Sequence, residues 1–143
     1  MQRNGARLGI GAGLIALVIV LGVTAVAVAG RGAPPPSTAI EIDIHYSHFQ
    51  PSAITVPVGV PVTITITNSD PIDHEWIAGD DAIQAFHRTS AEPLHPGVPT
   101  EVIVPAGQTR VTTVTFEATG TLQFICHLPG HEAYGMVGTV SIR

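Results

Sequence analysis

Three residue types near the C-terminus could together hold a soft metal ion. Four residues separate Cys126 from His131, and four more separate His131 from Met136. Pro129, Gly130 and Gly135 lie between them. These are turn formers, so the three side chains share one loop that can close around a single point. A thiolate, an imidazole and a thioether are the donor set of the softer metals, copper above all. A second imidazole must come from elsewhere in the chain. His74, just after the turn Asn68-Ser69-Asp70-Pro71, is the best candidate. Two imidazoles and a thiolate in one plane, with a thioether on the axis, make a type 1 or blue copper site. The thiolate favours Cu(II) and the thioether Cu(I). The two states then accept a similar geometry, and an electron moves with little rearrangement.

Plainer readings exist for each residue. A lone cysteine is commonly a small buried hydrophobe, and a His-x4-Met spacing arises by chance. An unpaired thiol in an exported domain is nevertheless open to oxidation unless something occupies it. The joint pattern on one Gly/Pro loop is what makes the signal specific. The single cysteine also excludes a disulfide framework and a four-thiolate zinc site. His74-Glu75 and His131-Glu132 do not extend to the His-Glu-x-x-His of zinc proteases. No Ser/His/Asp arrangement is assignable, so the chain is not read as an enzyme. His45 is expected to face solvent. His87 and His95 read as exposed loop histidines, with a second, weaker copper site as the alternative. Trp76 is expected in the core, and Asp80-Asp81 in a solvated loop.

The elements that must position these residues are strands. Glycine (15) and proline (12) make up 27 of 143 residues, which favours short strands and turns over long helices. Ile40, Ile42, Ile44 and Tyr46 alternate with polar residues, as a half-buried strand does. Val60 to Thr67 alternates most clearly. Further strands are expected over 54–56, 74–78, 101–104, 110–116, 121–126 and 137–142. About eight short strands at this spacing predict an all-β, two-sheet sandwich. Residues 79–99 break the rhythm. Ala82 to His87 has room for one or two helical turns, within a long loop on the rim.

The N-terminus is of another kind. Leu8 to Ala29 is an uncharged run of 22 residues preceded by Arg3 and Arg7. A helix of that length, at about 1.5 Å per residue, roughly matches a ~30 Å hydrocarbon core. The flanking arginines predict a cytoplasmic N-terminus and an exported remainder. The length favours a retained transmembrane anchor. Ala27-Val28-Ala29 also fits a signal-peptide cleavage site, which would release the domain as a secreted protein. Residues 1–30 are thus an anchor or signal, 31–37 a proline-rich linker, and 38–143 the folded domain. That domain carries three arginines against eleven acids, a net of −8. Such a charge argues against nucleic acid as a partner.

At these residues the sequence resembles the cupredoxins, the blue copper electron-transfer proteins. The resemblance covers most of 38–143. It includes Phe49-Gln50-Pro51-Ser52-Ala53-Ile54-Thr55-Val56-Pro57-Val58-Gly59, similar to the second-strand region of plastocyanin-like members. It also includes His74 and the Cys126–His131–Met136 loop. It implies a Greek-key β-sandwich with one copper near one end, under a hydrophobic surface where His131 passes the electron. The ligand spacing is most like that of auracyanin-like and sulfocyanin-like members, which are often membrane-tethered. Glu75 departs from the family pattern, which often has an Asn after the first His to tie the ligand loops together. The His-x-His pairs of a multicopper oxidase are absent, and His127 is expected to point away from the copper.

The function expected is one-electron transfer between redox proteins, such as a cytochrome and an oxidase, at the outer face of a membrane. No small-molecule substrate is expected. Two alternatives are a copper storage or delivery protein, motivated by His87 and His95, and an accessory or sensor subunit of a membrane oxidase.

Overall fold

A computed structural model describes residues 38–89 and 97–143. The anchor or signal, the linker and His95 lie outside the described residues. Among the described residues, nine strands and one helix run in the order β1 (Thr38–His45), β2 (His48–Gln50), β3 (Ala53–Val56), β4 (Pro61–Asn68), β5 (His74–Gly79), α1 (Asp81–Thr89), β6 (Glu101–Val104), β7 (Thr109–Thr115), β8 (Gly120–Ile125) and β9 (Val137–Ile142). They form a four-stranded sheet, β2-β1-β4-β7, and a five-stranded sheet, β3-β9-β8-β5-β6. Both sheets are mixed: β1 pairs with β4 and β3 with β9 in parallel, and all other pairs are antiparallel. The expected all-β sandwich is therefore present. It has nine strands rather than about eight, because the three-residue β2 was not separable from its neighbours in sequence.

The core follows from the alternation. Val62, Ile64 and Ile66 of β4 and Ile42 and Ile44 of β1 point inward and are buried. From the other sheet Trp76, Phe124 and Val140 meet them. Phe124 packs edge-on against Phe49, with ring centroids 5.0 Å apart. On the outer face of the four-stranded sheet, threonines face one another across β4 and β7. The Thr67 and Thr109 hydroxyls are 3.1 Å apart, a cross-strand pair of the kind that stabilises sheets.

Tyr46 corrects the reading of the first strand. It does not continue the inward series but is 80% exposed. Tyr46 and Ser47 form the two-residue turn between β1 and β2, with φ of 53° and 55°. A tight hairpin demands such left-handed values, usually met by Asn or Gly. His45 is half-buried and lies against the Tyr46 ring.

Residues 79–89 are more ordered than the expected loop. Helix α1 has nine residues and covers the outer face of β5 and β8. This explains why β5 is buried on both faces and shows no alternation. Asp80 is not merely solvated: its Oδ1 accepts the amides of Ala82 (3.1 Å) and Ile83 (3.0 Å) as a helix N-cap. Gln84 is wholly buried, and its amide donates to the carbonyls of Ile77 and Gln123, each at 3.0 Å. A polar side chain thus fixes the helix to the sheet.

Candidate metal centre

The five-stranded sheet brings the ligand candidates to one end. His74 opens β5, Cys126 directly follows β8, and His131 and Met136 lie in the loop that leads to β9. β5 and β8 are adjacent antiparallel strands, so the start of one lies beside the end of the other. The loop is closed by its own backbone. The Cys126 amide donates to the Met136 carbonyl (3.2 Å), and the Met136 amide to the His131 carbonyl (3.1 Å).

One donor atom from each of His74, Cys126 and His131 lies within 4.8 Å of the others. His131 Nδ1 stands 3.2 Å from His74 Nδ1 and 3.3 Å from Cys126 Sγ. An ion with ~2.0–2.3 Å bonds to nitrogen and sulfur spreads its donors over a similar distance. Three donor atoms facing one another this closely are well satisfied by a cation between them. His74, Cys126 and Met136 are fully buried, while His131 is partly exposed. The structure places Met136 beside the cluster by its backbone.

Each candidate has a support. The Glu75 amide donates to Cys126 Sγ at 3.3 Å. The Glu75 carboxyl accepts the His127 amide, while burial pushes its pKa above the usual carboxylate range. Glu75 thus ties β5 to the ligand loop where the family pattern has Asn, and the departure leaves that tie intact. Burial pushes the Cys126 thiol up to about 11, although the Glu75 and Leu128 amides pull it the other way. Burial, then the neighbouring His74, lowers the pKa of His131. His131 is therefore ready as a neutral donor, whereas the Cys126 thiol must lose a proton to bind metal.

Sequence reasoning missed three participants. Asp70 Oδ2 lies 3.0 Å from His74 Nε2, on the side of the ring away from the cluster. Burial opposes the Asp70 charge, but the Ser47 and Tyr46 amides and His74 outweigh it, so its pKa is lowered. Gln84 Oε1 receives His127 Nε2 at 2.7 Å, so His127 faces α1 rather than the cluster, as expected. Arg88 forms a two-pronged contact with Glu132 of the ligand loop. His87 is half-buried, stacked on His127 with centroids 5.9 Å apart and 3.4 Å from Glu101. It is not the freely exposed residue expected. An Asp four residues before a His, across a turn, was the only sequence trace of any of these.

Comparisons with known proteins agree with this chemistry. A family model described as copper binding proteins, plastocyanin/azurin family, matches residues 37–143. No curated protein sequence matches. Among solved structures, the dithionite-reduced auracyanin of Roseiflexus castenholzii is 26% identical, with a TM-score of 0.64 over 74% of this chain and 97% of that one. Auracyanin A of Chloroflexus aurantiacus, a "blue" copper protein, is 27% identical, with a TM-score of 0.61 over 76% and 100%. Rusticyanin from Thiobacillus ferrooxidans, 16% identical over 75% and 77%, has a TM-score of 0.56 and shares the fold. The cofactor that the family and the donor set require is one type 1 copper ion. The chain belongs to the plastocyanin/azurin family of copper-binding proteins, the cupredoxins.

Proposed function

We propose that the protein is a one-electron carrier working at the outer face of a membrane, tethered by residues 1–30 or released from them. In this reading His74, Cys126, His131 and Met136 would together hold one copper ion. The bound ion supplies the Cu(II)/Cu(I) couple. The chain's task is to hold the donors so that neither state pulls them far. The observation that carries the reading is the convergence of two Nδ1 atoms and one Sγ in a buried pocket at a sheet end. Strands, an amide to the sulfur and a carboxylate behind His74 all restrain those donors. His131, the partly exposed donor, is the place where an electron enters and leaves. The net charge of −8 over residues 37–143 suits redox partners with basic faces, such as a cytochrome or an oxidase domain.

Copper loading of the purified protein tests this. An intense thiolate-to-copper band in the visible and a reversible one-electron wave are expected, at one tight copper per chain. A colourless copper complex with no reversible wave refutes it. The delivery reading gains no support at His87, which is engaged with His127 and Glu101. Two or more tight copper equivalents, reduced by substituting His87 and His95, would restore that reading.

A further inference from the structure

Asp70 sits in the turn between β4 and β5, with only 7% of its surface exposed. Its carboxylate has three partners. Oδ1 accepts the Tyr46 amide and Oδ2 the Ser47 amide, each at 2.7 Å. Oδ2 also lies 3.0 Å from His74 Nε2. The Asp70 amide in turn donates to Asn68 Oδ1 at 3.0 Å. Asn68 is itself anchored by donating to the carbonyls of Ile72 (2.8 Å) and Val104 (2.9 Å). The carboxylate is thus held from both sides and cannot drift from the imidazole.

Two consequences follow from electrostatics. A carboxylate that already accepts two amides can only accept again, so the proton on the His74 ring belongs on Nε2. That leaves the Nδ1 lone pair on the side of Cys126 and His131. The carboxylate is also a buried negative charge one ring away from the donor cluster. In a region of low effective dielectric such a charge favours the more positive state of whatever the ring holds. At the Tyr46–Ser47 turn the carboxylate serves as a hydrogen-bond acceptor with both oxygens; at His74 it also bears on the ring that faces the donor cluster.

We propose that Asp70 is a positioning residue that locks His74 in the Nε2–H tautomer and biases the centre toward its oxidised state. This rests on the copper-carrier reading for its redox half, but its tautomer half stands without copper.

The experiment has two arms. In copper-free wild-type protein, at a pH above the usual histidine range of about 6.5, 15N NMR of the His74 ring should show the proton on Nε2 alone. A proton on Nδ1 overturns the proposal, and this arm needs no variant. In the copper-loaded full chain, Asp70→Asn should keep the visible band but shift the Cu(I)/Cu(II) ratio at fixed poise at least about tenfold toward Cu(I), or about 59 mV for one electron. Glu117→Gln removes the same charge from an exposed residue just after β7, near the β8 start and far from Cys126; it should shift the ratio much less. Equal shifts in the two variants, or none in Asp70→Asn, overturn the redox half. Absence of the blue band in wild type refutes the copper reading instead and leaves the NMR arm to decide the role of Asp70.

Discussion

His74 Nδ1 and His131 Nδ1 face each other at 3.2 Å although 57 residues separate them in the chain. Neighbouring positions in one sheet account for the encounter: β5 and β8 pair directly, and the two imidazoles meet where β5 begins and β8 ends. Cys126 Sγ, 3.3 Å from His131 Nδ1, completes the group. Removing the sulfur should therefore remove the colour while sparing the scaffold. Cys126→Ser is expected to abolish the thiolate-to-copper band and keep the β-sheet circular dichroism of the wild type. A variant that remained intensely blue would show that another group holds the copper.

Met136 is fully buried and its backbone is hydrogen-bonded to both Cys126 and His131. Met136→Leu keeps the volume and removes the thioether. The protein should stay coloured, and its reduction potential should rise, because the axial ligand tunes the couple. Voltammetry checks this; an unchanged potential rejects Met136 as the axial ligand.

Folding without copper favours the neutral Cys126 thiol, whose pKa is raised from 9.0 to about 11. A raised value means that the contribution is complete below about pH 9 and is lost as the pH climbs toward about 11. Its size is on the order of 3 kcal/mol. Denaturant midpoints of the copper-free protein should fall over that window, and Cys126→Ser should flatten the fall. Copper binding at neutral pH should release about one proton, since the thiol is protonated beforehand. Calorimetry in buffers of different ionisation enthalpy counts it.

Gly138 in β9 lies under the Phe124 ring and against the Ser52 carbonyl. A β-carbon there would overlap the ring and come within 2.7 Å of the oxygen. Phe124 is itself fully buried against Phe49 and Trp76, so it has no room to yield. Gly138→Ala should cost roughly 1–3 kcal/mol by overpacking, read from urea denaturation of the copper-free protein. A cost near zero would mean that the β8–β9 ladder shifts easily.

Electron exchange with a basic redox partner should slow as salt is added, given the acidic character of residues 37–143. Stopped-flow rates across a range of ionic strength measure this. A rate indifferent to salt rules out electrostatic steering.

Much of this was readable from residue order because the physics involved is local. Alternation in β1 and β4 reports a surface with one buried face, and both strands appear as expected. The Cys126–His131–Met136 spacing on turn formers reports a loop, and the structure has one there. Three features resisted, each because a distant partner decides it. Tyr46 continues the apolar alternation, yet it turns outward because the carboxylate of Asp70 stabilises the bend. The burial of α1 runs through Gln84, a polar residue satisfied by sheet carbonyls, so apolar periodicity could not announce it. The contact of Asp70 with His74 crosses a turn whose shape is fixed by Asn68 and Val104.

His131 is partly exposed beside three fully enclosed companions, and on the proposed function its edge would serve two kinds of traffic. In the proposed carrier, a metal ion arriving during maturation would pass the same ring that later conducts charge. On the same proposal, a molecule seated there for electron exchange would also act as a stopper against leaching, and the centre would be safest from loss while it works.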